Sequence, residues 1–258
     1  GFSSPYRLLR DVATKAAVNI LQDKPEVVIS LVDVFDDVND PYIQQRLYAV
    51  VHGCVMKGYC CQSERLGHLV YEKVFNVASL RTDILLRDYA RCVIDFIGQH
   101  VTLESIDLTK IEPPYHVSFS FDDCPDRATV EGKYRLDSTM GFSDDVIYTQ
   151  NKILGSMETE YSKGVGEYGD FGRYTFESAL RRWDDCEGYS ASQLRNYALQ
   201  LIFDKYQFDA KVYVHHDKYF MASRGNRPVM ERFGKKYQWM AMYEILGLMQ
   251  DNYAMESG

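Results

Sequence analysis

The chain has 258 residues, of which 46% are apolar and 26% charged, with a net charge of −8 and a pI of about 5.3. This composition allows one large domain or two small ones with a buried core. The acidic balance argues against a general nucleic-acid binder, which needs a basic surface. No run of 18 apolar residues occurs, so no membrane-spanning helix is predicted. The start at residues 1–4 has neither Met nor a signal-like segment, which favours a fragment of a longer protein.

The cysteines and histidines give no metal pattern. None of the six cysteines forms a C-x-x-C pair, and no four ligands recur with zinc-like spacing. We interpret the cysteines as reduced thiols, which predicts a cytoplasmic location and no disulfide framework. The adjacent Cys60 and Cys61 are interpreted as packing residues.

Five amphipathic helices are predicted in the first hundred residues, with at least three antiparallel pairs. Their start signals are Ser4-Pro5, Pro25, Asn39-Asp40-Pro41, Ser63, and Thr82 or Asp83. In the first helix, Leu9, Val12, Ala16 and Ile20 recur at helical spacing, and we expect this stripe to face the core.

Three of these helices share a pattern of arginine followed by alanine. Arg10, Arg46 and Arg87 align at one position, and Ala13, Ala49 and Ala90 align at another. The spacings of 36 and 41 residues, with two helices per unit, are typical of an α-solenoid. The pattern resembles HEAT repeats over about residues 5–99, and the arginines are expected to contact neighbouring repeats. Three unrelated amphipathic helices remain the alternative.

The rest of the chain is predicted to contain a connector and a second helical region. Residues 100–142 are interrupted by prolines, and residues 116–121 alternate with period two, as a strand or short hairpin would. Phe119, Phe121 and Tyr134 are expected to pack this connector. Later helices are predicted from Asp144 to Glu158, up to Trp183, after Ser190, and from Met230 to Asp251. The predicted organisation is therefore all-α: HEAT-like repeats at 1–99, an ordered connector at 100–142 and a helical region at 143–258.

Neither glycine-rich stretch has the pattern of a phosphate-binding loop. The glycines of residues 164–172 are not followed by lysine, and Gly234-Lys235-Lys236 lacks the upstream glycine and the Ser or Thr of a P-loop. The sequence therefore predicts no nucleotide or other cofactor for this chain. Glu158 and Glu160 are interpreted as a solvated helix end.

His215-His216-Asp217 is the strongest candidate for acid–base or metal chemistry. Adjacent histidines point in different directions on a helix or strand, so they rarely hold one ion together. No catalytic, cofactor-binding or metal-ligating residue is assigned, but a hydrolase using these three residues stays open, with or without a metal.

Two segments, residues 168–174 and 231–239, combine aromatic and charged residues with glycine. The second contains Gly234 within a helical pattern, which costs about 1 kcal/mol relative to alanine. Phe233 and Tyr237 share one face, expected to pack inward, while Lys236 and Trp239 share another, expected to meet a partner. The predicted partner-binding residues are Asp170, Arg173, Arg232, Lys235, Lys236 and Trp239. The positive charges of Arg232 and Lys235 favour an acidic partner.

The strings YGDFGRY, ERFGKKYQWMAMYEIL, NDPYIQQRLYAVVHG and LLRDYAR resemble the C-terminal region of bacterial antiviral STAND NTPases of the Avs type. The resemblance extends from about residue 39 to 253. It implies a helical sensor that recognises a phage protein, with the NTPase and effector domains upstream and oligomerisation in the intact protein. The sequence departs from the family's full pattern, because it has no P-loop and no effector motif.

A non-catalytic protein-binding or sensing module is therefore the leading functional hypothesis, with no enzymatic activity in this chain. A solenoid presents an extended surface that suits recognition of another protein. The alternatives are the hydrolase named above and a structural oligomerisation scaffold.

Overall fold

The structure of the chain, a computed structural model, describes residues 1–160, 168–183, 186, 188–219 and 230–255. Across this part of the chain the regular elements are all helices, with no strand, and the predicted all-α class is confirmed. None of the described helices is long and apolar enough to cross a membrane. The chain divides into two compact units, Gly1–Val117 and Ser118–Gly258, so the predicted connector is shared between them.

The first unit contains five α-helices: α1 (Arg7–Leu21), α2 (Pro25–Phe35), α3 (Pro41–Lys57), α4 (Glu64–Val74) and α5 (Ile84–Gly98). Helix α3 packs between α1 and α5, while α4 packs against α2 and α5. Short 3-10 turns occupy Tyr59–Gln62 and Leu108–Lys110. The five predicted helices are present, and the successive pairs α1–α2, α2–α3 and α4–α5 are in contact. No α-helix follows α5 in this unit. Residues 99–117 follow it instead, and Ile111 within them is buried.

Most of the predicted start signals cap the helices as expected. Asp40, Ser63 and Asp83 each accept a hydrogen bond from a backbone amide two or three residues further on. The predicted cap of the first helix, Ser4, lies two residues before the actual N-cap. Ser4 Oγ accepts a hydrogen bond from the amide of Tyr6, and α1 begins only at Arg7. Local side-chain chemistry therefore locates helix starts to within about two residues.

The apolar stripe of α1 faces outward, which corrects the expectation that it is buried. Leu9, Val12 and Ile20 are exposed, and the buried side chains of α1 are Arg10 and Val18. The reason is the close crossing of α1 and α3 on the opposite side. There, a Cβ on Gly53 would lie only 2.5 Å from a methyl group of Val18.

The three aligned arginines each contact another segment of the unit. Arg10 lies 4.5 Å from the ring centroid of Tyr42 in α3, and Arg87 lies 4.5 Å from that of Tyr115. The Nη1 of Arg46 is 3.0 Å from a carboxylate of α1. The aligned alanines, partly or fully buried, are Ala13, Ala49 and Ala90.

The second unit is built around the last helix. Its α-helices are α6 (Arg127–Tyr134), α7 (Asp144–Ser156), α8 (Glu177–Leu180), α9 (Ala191–Gln200), α10 (Ala210–Tyr219) and α11 (Phe233–Asn252). Two π-helical turns, Gly172–Phe176 and Leu201–Lys205, precede α8 and extend α9. Helix α11 packs against α7, α9 and α10. Three 3-10 turns lie at Phe121–Asp123, Ser138–Met140 and Arg181–Trp183.

The strand or hairpin predicted near residues 116–121 is wrong. Residues 116–120 form no regular element, His116 has a positive φ of 57°, and a 3-10 turn begins at Phe121. The period-two pattern instead reflects burial of alternate rings, because Phe119 and Phe121 pack edge to face at 5.9 Å. The sequence pattern did not predict helices α6 and α10.

Candidate functional site

The two segments with dense aromatic and charged chemistry meet in the second unit. Phe171, which is buried, packs edge to face against Trp239 of α11, with ring centroids 5.1 Å apart. Trp239 is partly exposed and stacks on Tyr243 one helical turn later, at 5.6 Å. The segments that the sequence separates by about 60 residues therefore form one region.

Glycine allows the first segment to lie against the end of α7. The amides of Gly169 and Phe171 donate to backbone carbonyls near that end, both at 3.1 Å. Gly169 has a φ of 64°, and a Cβ there would lie 2.1 Å from the carbonyl oxygen of Glu158. A Cβ on Gly172 would lie 2.3 Å from the carbonyl oxygen of Met157. The two glycines therefore permit a contact between backbones; residues 164–167 of the predicted glycine-rich turn lie outside the described residues.

The outward side of this segment carries two tyrosines, an acid and an arginine. Tyr168 and Tyr174 are 49% and 56% exposed, and their hydroxyl oxygens are 3.2 Å apart. The guanidinium carbon of Arg173 lies 5.5 Å from the ring centroid of Tyr168, and Asp170 is exposed. We call Tyr168, Asp170, Arg173, Tyr174 and Trp239 the aromatic surface.

The start of α11 differs from the expected arrangement at Lys236. Arg232 is the partly exposed N-cap residue, and Lys235 Nζ lies 3.4 Å from a carboxylate oxygen of Glu231. Lys236 is only 6% exposed, so the expectation that it shares an open face with Trp239 is wrong. Its face is buried because the residue one turn later, Met240, lies in the core.

Phe233 and Tyr237 pack towards α10. Their rings lie 4.6 Å and 5.8 Å from the ring of Tyr213, and the Tyr213 and Tyr237 hydroxyls are 2.9 Å apart. The aromatic face of the helix start is therefore occupied within the unit. Residues 224–228, whose glycine and proline predict a break in the chain before this helix, lie outside the described residues.

A buried ion network supports the segment on which the aromatic surface rests. Glu158 and Arg195 have fully buried side chains, contrary to the interpretation of Glu158 as solvated. Both carboxylate oxygens of Glu158 accept from Arg127, at 2.6 and 3.2 Å. Nη2 of Arg195 lies 3.7 Å from Glu158 and 3.2 Å from Glu131. The network therefore joins α6, α9 and the residues after α7.

The electrostatics of the network favour the ionised carboxylates. Burial raises the pKa of Glu158, but hydrogen bonds from Arg127 and from the amide of Glu160, with the charge of Arg195, outweigh it and hold the pKa below its ordinary value. Burial likewise raises the pKa of Glu131, and bonding to Arg135 and Arg195 brings it below normal. Sequence reasoning missed this network. Its available signal was the i, i+4 spacing of Arg127, Glu131 and Arg135 on one helix face.

Helix α11 is tied to the same backbone by a buried amide. Gln238 Nε2 donates to Ser156 Oγ at 2.5 Å, and neither side chain is accessible to solvent beyond 1%. Ser156 also accepts the amide of Phe171 through its carbonyl oxygen. The end of α7 therefore positions Phe171 and α11 together.

Asp217 caps the start of α11, and His216 contacts it. Asp217 is buried, and its two carboxylate oxygens accept the amides of Phe233 and Gly234 at 2.6 and 3.0 Å. His216 Nδ1 lies 3.0 Å from Asp217 Oδ1, and its Nε2 lies 2.9 Å from the sulfur of Met230. The carboxylate thus binds the N-terminal amides of α11, where negative charge is favourable, while His215 is exposed.

The described residues include no group of three His, Cys, Asp or Glu side chains placed to hold a metal ion. Cys60 is buried, and its thiol contacts the carbonyl oxygen of Gln22 at 3.0 Å, as a packed thiol does. Cys61 is partly buried.

Comparison of the chain with protein-family models, curated proteins and solved structures finds no match in any of the three. The functional interpretation therefore rests on the chemistry of the aromatic surface and its support.

Proposed function

We propose that this chain is a protein-binding module that recognises its partner through the aromatic surface of the second unit. The observation that carries the proposal is the Phe171–Trp239 contact, which brings two separate aromatic and charged segments into one region. Tyrosine, tryptophan and arginine are the residue types that most often dominate protein interfaces. Here Tyr168, Tyr174 and Trp239 are accessible together with Arg173.

The support beneath the surface favours binding over a purely structural role. The backbone contacts of Gly169 and Phe171, and the buried pair of Glu158 and Arg195, fix the segment before any partner arrives. A preorganised surface loses less conformational entropy on binding, so more of the contact energy appears as affinity.

The partner class comes from the resemblance to Avs-type sensors. Both segments of the aromatic surface lie within the strings that carry that resemblance. We propose a phage-encoded protein as the partner and a larger antiviral NTPase as the intact protein. The stacking of α1, α3 and α5 agrees with a helical-repeat sensor.

The test is binding of individually purified virion proteins of one phage, measured by biolayer interferometry on the immobilised chain. Tyr174→Ser and Trp239→Ser should each weaken the binding of one virion protein at least tenfold, or by about 1.4 kcal/mol. Tyr148→Ser is the matched control, because Tyr148 is 46% exposed elsewhere on the second unit. Binding that all three variants retain, or that all three lose equally, would contradict the proposal.

The hydrolase alternative has weaker support in this geometry. Asp217 contacts His216 Nδ1 as well as the amides that it caps, but His216 Nε2 lies 2.9 Å from the sulfur of Met230. The ring nitrogen that would act on a substrate is therefore already in contact with a side chain.

A further inference from the structure

Helices α1 and α2, which we call the first helix pair, carry most of the exposed apolar side chains of the first unit. Seven of the eleven large exposed apolar residues of residues 1–117 lie on α1 and α2. On α1 they are Leu8, Leu9, Val12 and Ile20, and on α2 they are Val27, Val34 and Phe35. Seven exposed apolar side chains on two helices that contact each other are more than the scattered single residues of an ordinary surface, and they favour an interaction site.

The two helices carry opposite charges. The accessible charges of α1 are those of Arg7, Lys15 and the partly exposed Asp11, whereas α2 carries Glu26 and Asp33 and no basic residue. Lys15 borders the stripe of α1, three residues after Val12. On α2, Glu26 and Asp33 lie about two turns apart, and each directly precedes an exposed apolar residue, Val27 and Val34 respectively.

The acidic residues of α2, Glu26 and Asp33, form only exposed ion pairs within the chain. Glu26 lies 2.7 Å from Arg65, but both side chains are about 70% exposed. Asp33 lies 3.9 Å from Lys73 and is half exposed. Such exposed pairs contribute little, so both carboxylates can face a partner.

An apolar pocket lies beside this pair, between α1, α2 and α3. Its volume is about 400 Å³, and it is lined by Phe2, Leu21, Leu31, Phe35, Ile43 and Leu47, among others. Phe35 is 40% exposed, so its ring is accessible to an incoming group. The volume is ample for an aliphatic side chain.

We propose that the first helix pair is a self-association surface, on which α1 of one protomer lies along α2 of its partner. A second copy supplies both an apolar helix with a basic border and an apolar helix with an acidic border. A two-fold arrangement uses each contact twice, α1 on α2 and α2 on α1, which is the self-complementarity that an isologous dimer requires. A partner of a single charge sign would complement only one of the two helices.

The test is sedimentation velocity of the chain at increasing concentration, in low and high salt. We expect a reversible dimer that weakens as salt rises, because salt screens the exposed charges. Val12→Asp should abolish the dimer, whereas Met56→Asp should leave it unchanged, since Met56 is a comparably exposed apolar residue that lies on α3 and outside the proposed surface. Circular dichroism of each variant shows whether it remains folded.

Charge exchange distinguishes this arrangement from other dimers. Lys15→Glu and Asp33→Lys should each weaken self-association at least tenfold. An equimolar mixture of the two variants should form a heterodimer close to the original affinity, because both contacts again pair opposite charges. A chain that stays monomeric at all concentrations, or variants that are not rescued by mixing, would overturn the proposal. Binding through the aromatic surface is measured separately, so either idea can fail alone.

Discussion

The two units of this chain differ in the charged groups that they bury and in the apolar and aromatic groups that they expose. The first unit has a mainly aliphatic interior but exposes an apolar stripe on α1. The second unit buries an ion pair, Glu158 and Arg195, and exposes tyrosines. Hydrophobic periodicity is a good guide to where helices form, but the covered face of each helix is decided by what packs against it.

Buried charge in the first unit is arranged more simply. Asp36 accepts from the hydroxyl of Tyr48 at 2.6 Å and from Arg81 at 2.9 Å. Burial and the neighbouring Asp36 raise the pKa of Tyr48, so the hydroxyl stays protonated and donates. Arg81 is partly exposed there, whereas both members of the pair in the second unit are fully buried.

The largest expected effect comes from breaking that buried pair. Glu158→Gln leaves Arg195 buried with less compensating charge, so the second unit should lose about 3–5 kcal/mol of stability. Both tryptophans of the chain, Trp183 and Trp239, lie in this unit. Urea unfolding followed by tryptophan fluorescence therefore reports on it directly.

The matched control is Asp145→Asn, which removes a negative charge from the exposed pair with Lys218 in the same unit. It should change stability by less than about 1 kcal/mol, measured by circular dichroism. Equal losses in the two variants would mean that burial of the second-unit network contributes nothing.

The buried ion network around Glu158 and Arg195 could not be predicted from the sequence, whereas the helix caps could. Caps such as Asp40, Ser63 and Asp83 were predictable because the cap and its amide are neighbours in sequence. The burial of Arg195 was not predictable, because a charged residue is normally expected at the surface. Its partners Glu158 and Glu131 lie 37 and 64 residues away, so no local pattern identifies them. The error at Lys236 also comes from tertiary packing, because the face that it shares with Met240 is buried in the core.

In the candidate site, the residue types were predictable and their arrangement was not. Composition identified both aromatic segments, but nothing local indicates that Phe171 contacts Trp239. Nor does the sequence reveal that Gly169 serves a backbone contact with Glu158, because that contact is tertiary.

Acid should affect the two units in different pH ranges. The pKa values of Glu158 and Glu131 are lowered in the folded state from 4.5, so their stabilising contribution is present above about pH 4.5 and is lost as pH falls through the lowered values. In the first unit, burial lowers the pKa of His52 from 6.5, although Asp88 opposes the shift. The stability linked to His52 is therefore present in full above pH 6.5 and is lost as the pH falls below that value.

Urea unfolding between pH 7 and pH 3 measures both effects. Tryptophan fluorescence should report loss of stability only below about pH 4.5, and Glu158→Gln should reduce this acid dependence. His52→Gln should remove the part of the first unit's pH dependence that begins near pH 6.5, followed by circular dichroism. An unchanged acid transition in Glu158→Gln would contradict the assigned role.

A smaller effect is expected where α1 crosses α3. Gly53→Ala introduces a Cβ 2.5 Å from Val18, so overpacking should cost about 1–3 kcal/mol. Val18→Ala in the same chain should recover part of the loss, because it removes the clashing methyl groups. Gly132→Ala in α6 is the control; no atom lies within 4 Å of its Cβ, and stability should rise by up to about 1 kcal/mol.

The smallest of these effects concerns the cap of α11. Asp217→Ala removes the acceptor for the amides of Phe233 and Gly234, and should cost about 0.5–2 kcal/mol in tryptophan-detected unfolding. Asp217→Asn should retain part of this stability, since an amide oxygen still accepts one hydrogen bond. His216→Ala should cost less than Asp217→Ala if the aspartate acts as a cap. If instead both alanine variants leave stability unchanged, the pair is not needed for the fold, and the contact between His216 and Asp217 would have to be explained by chemistry at His216.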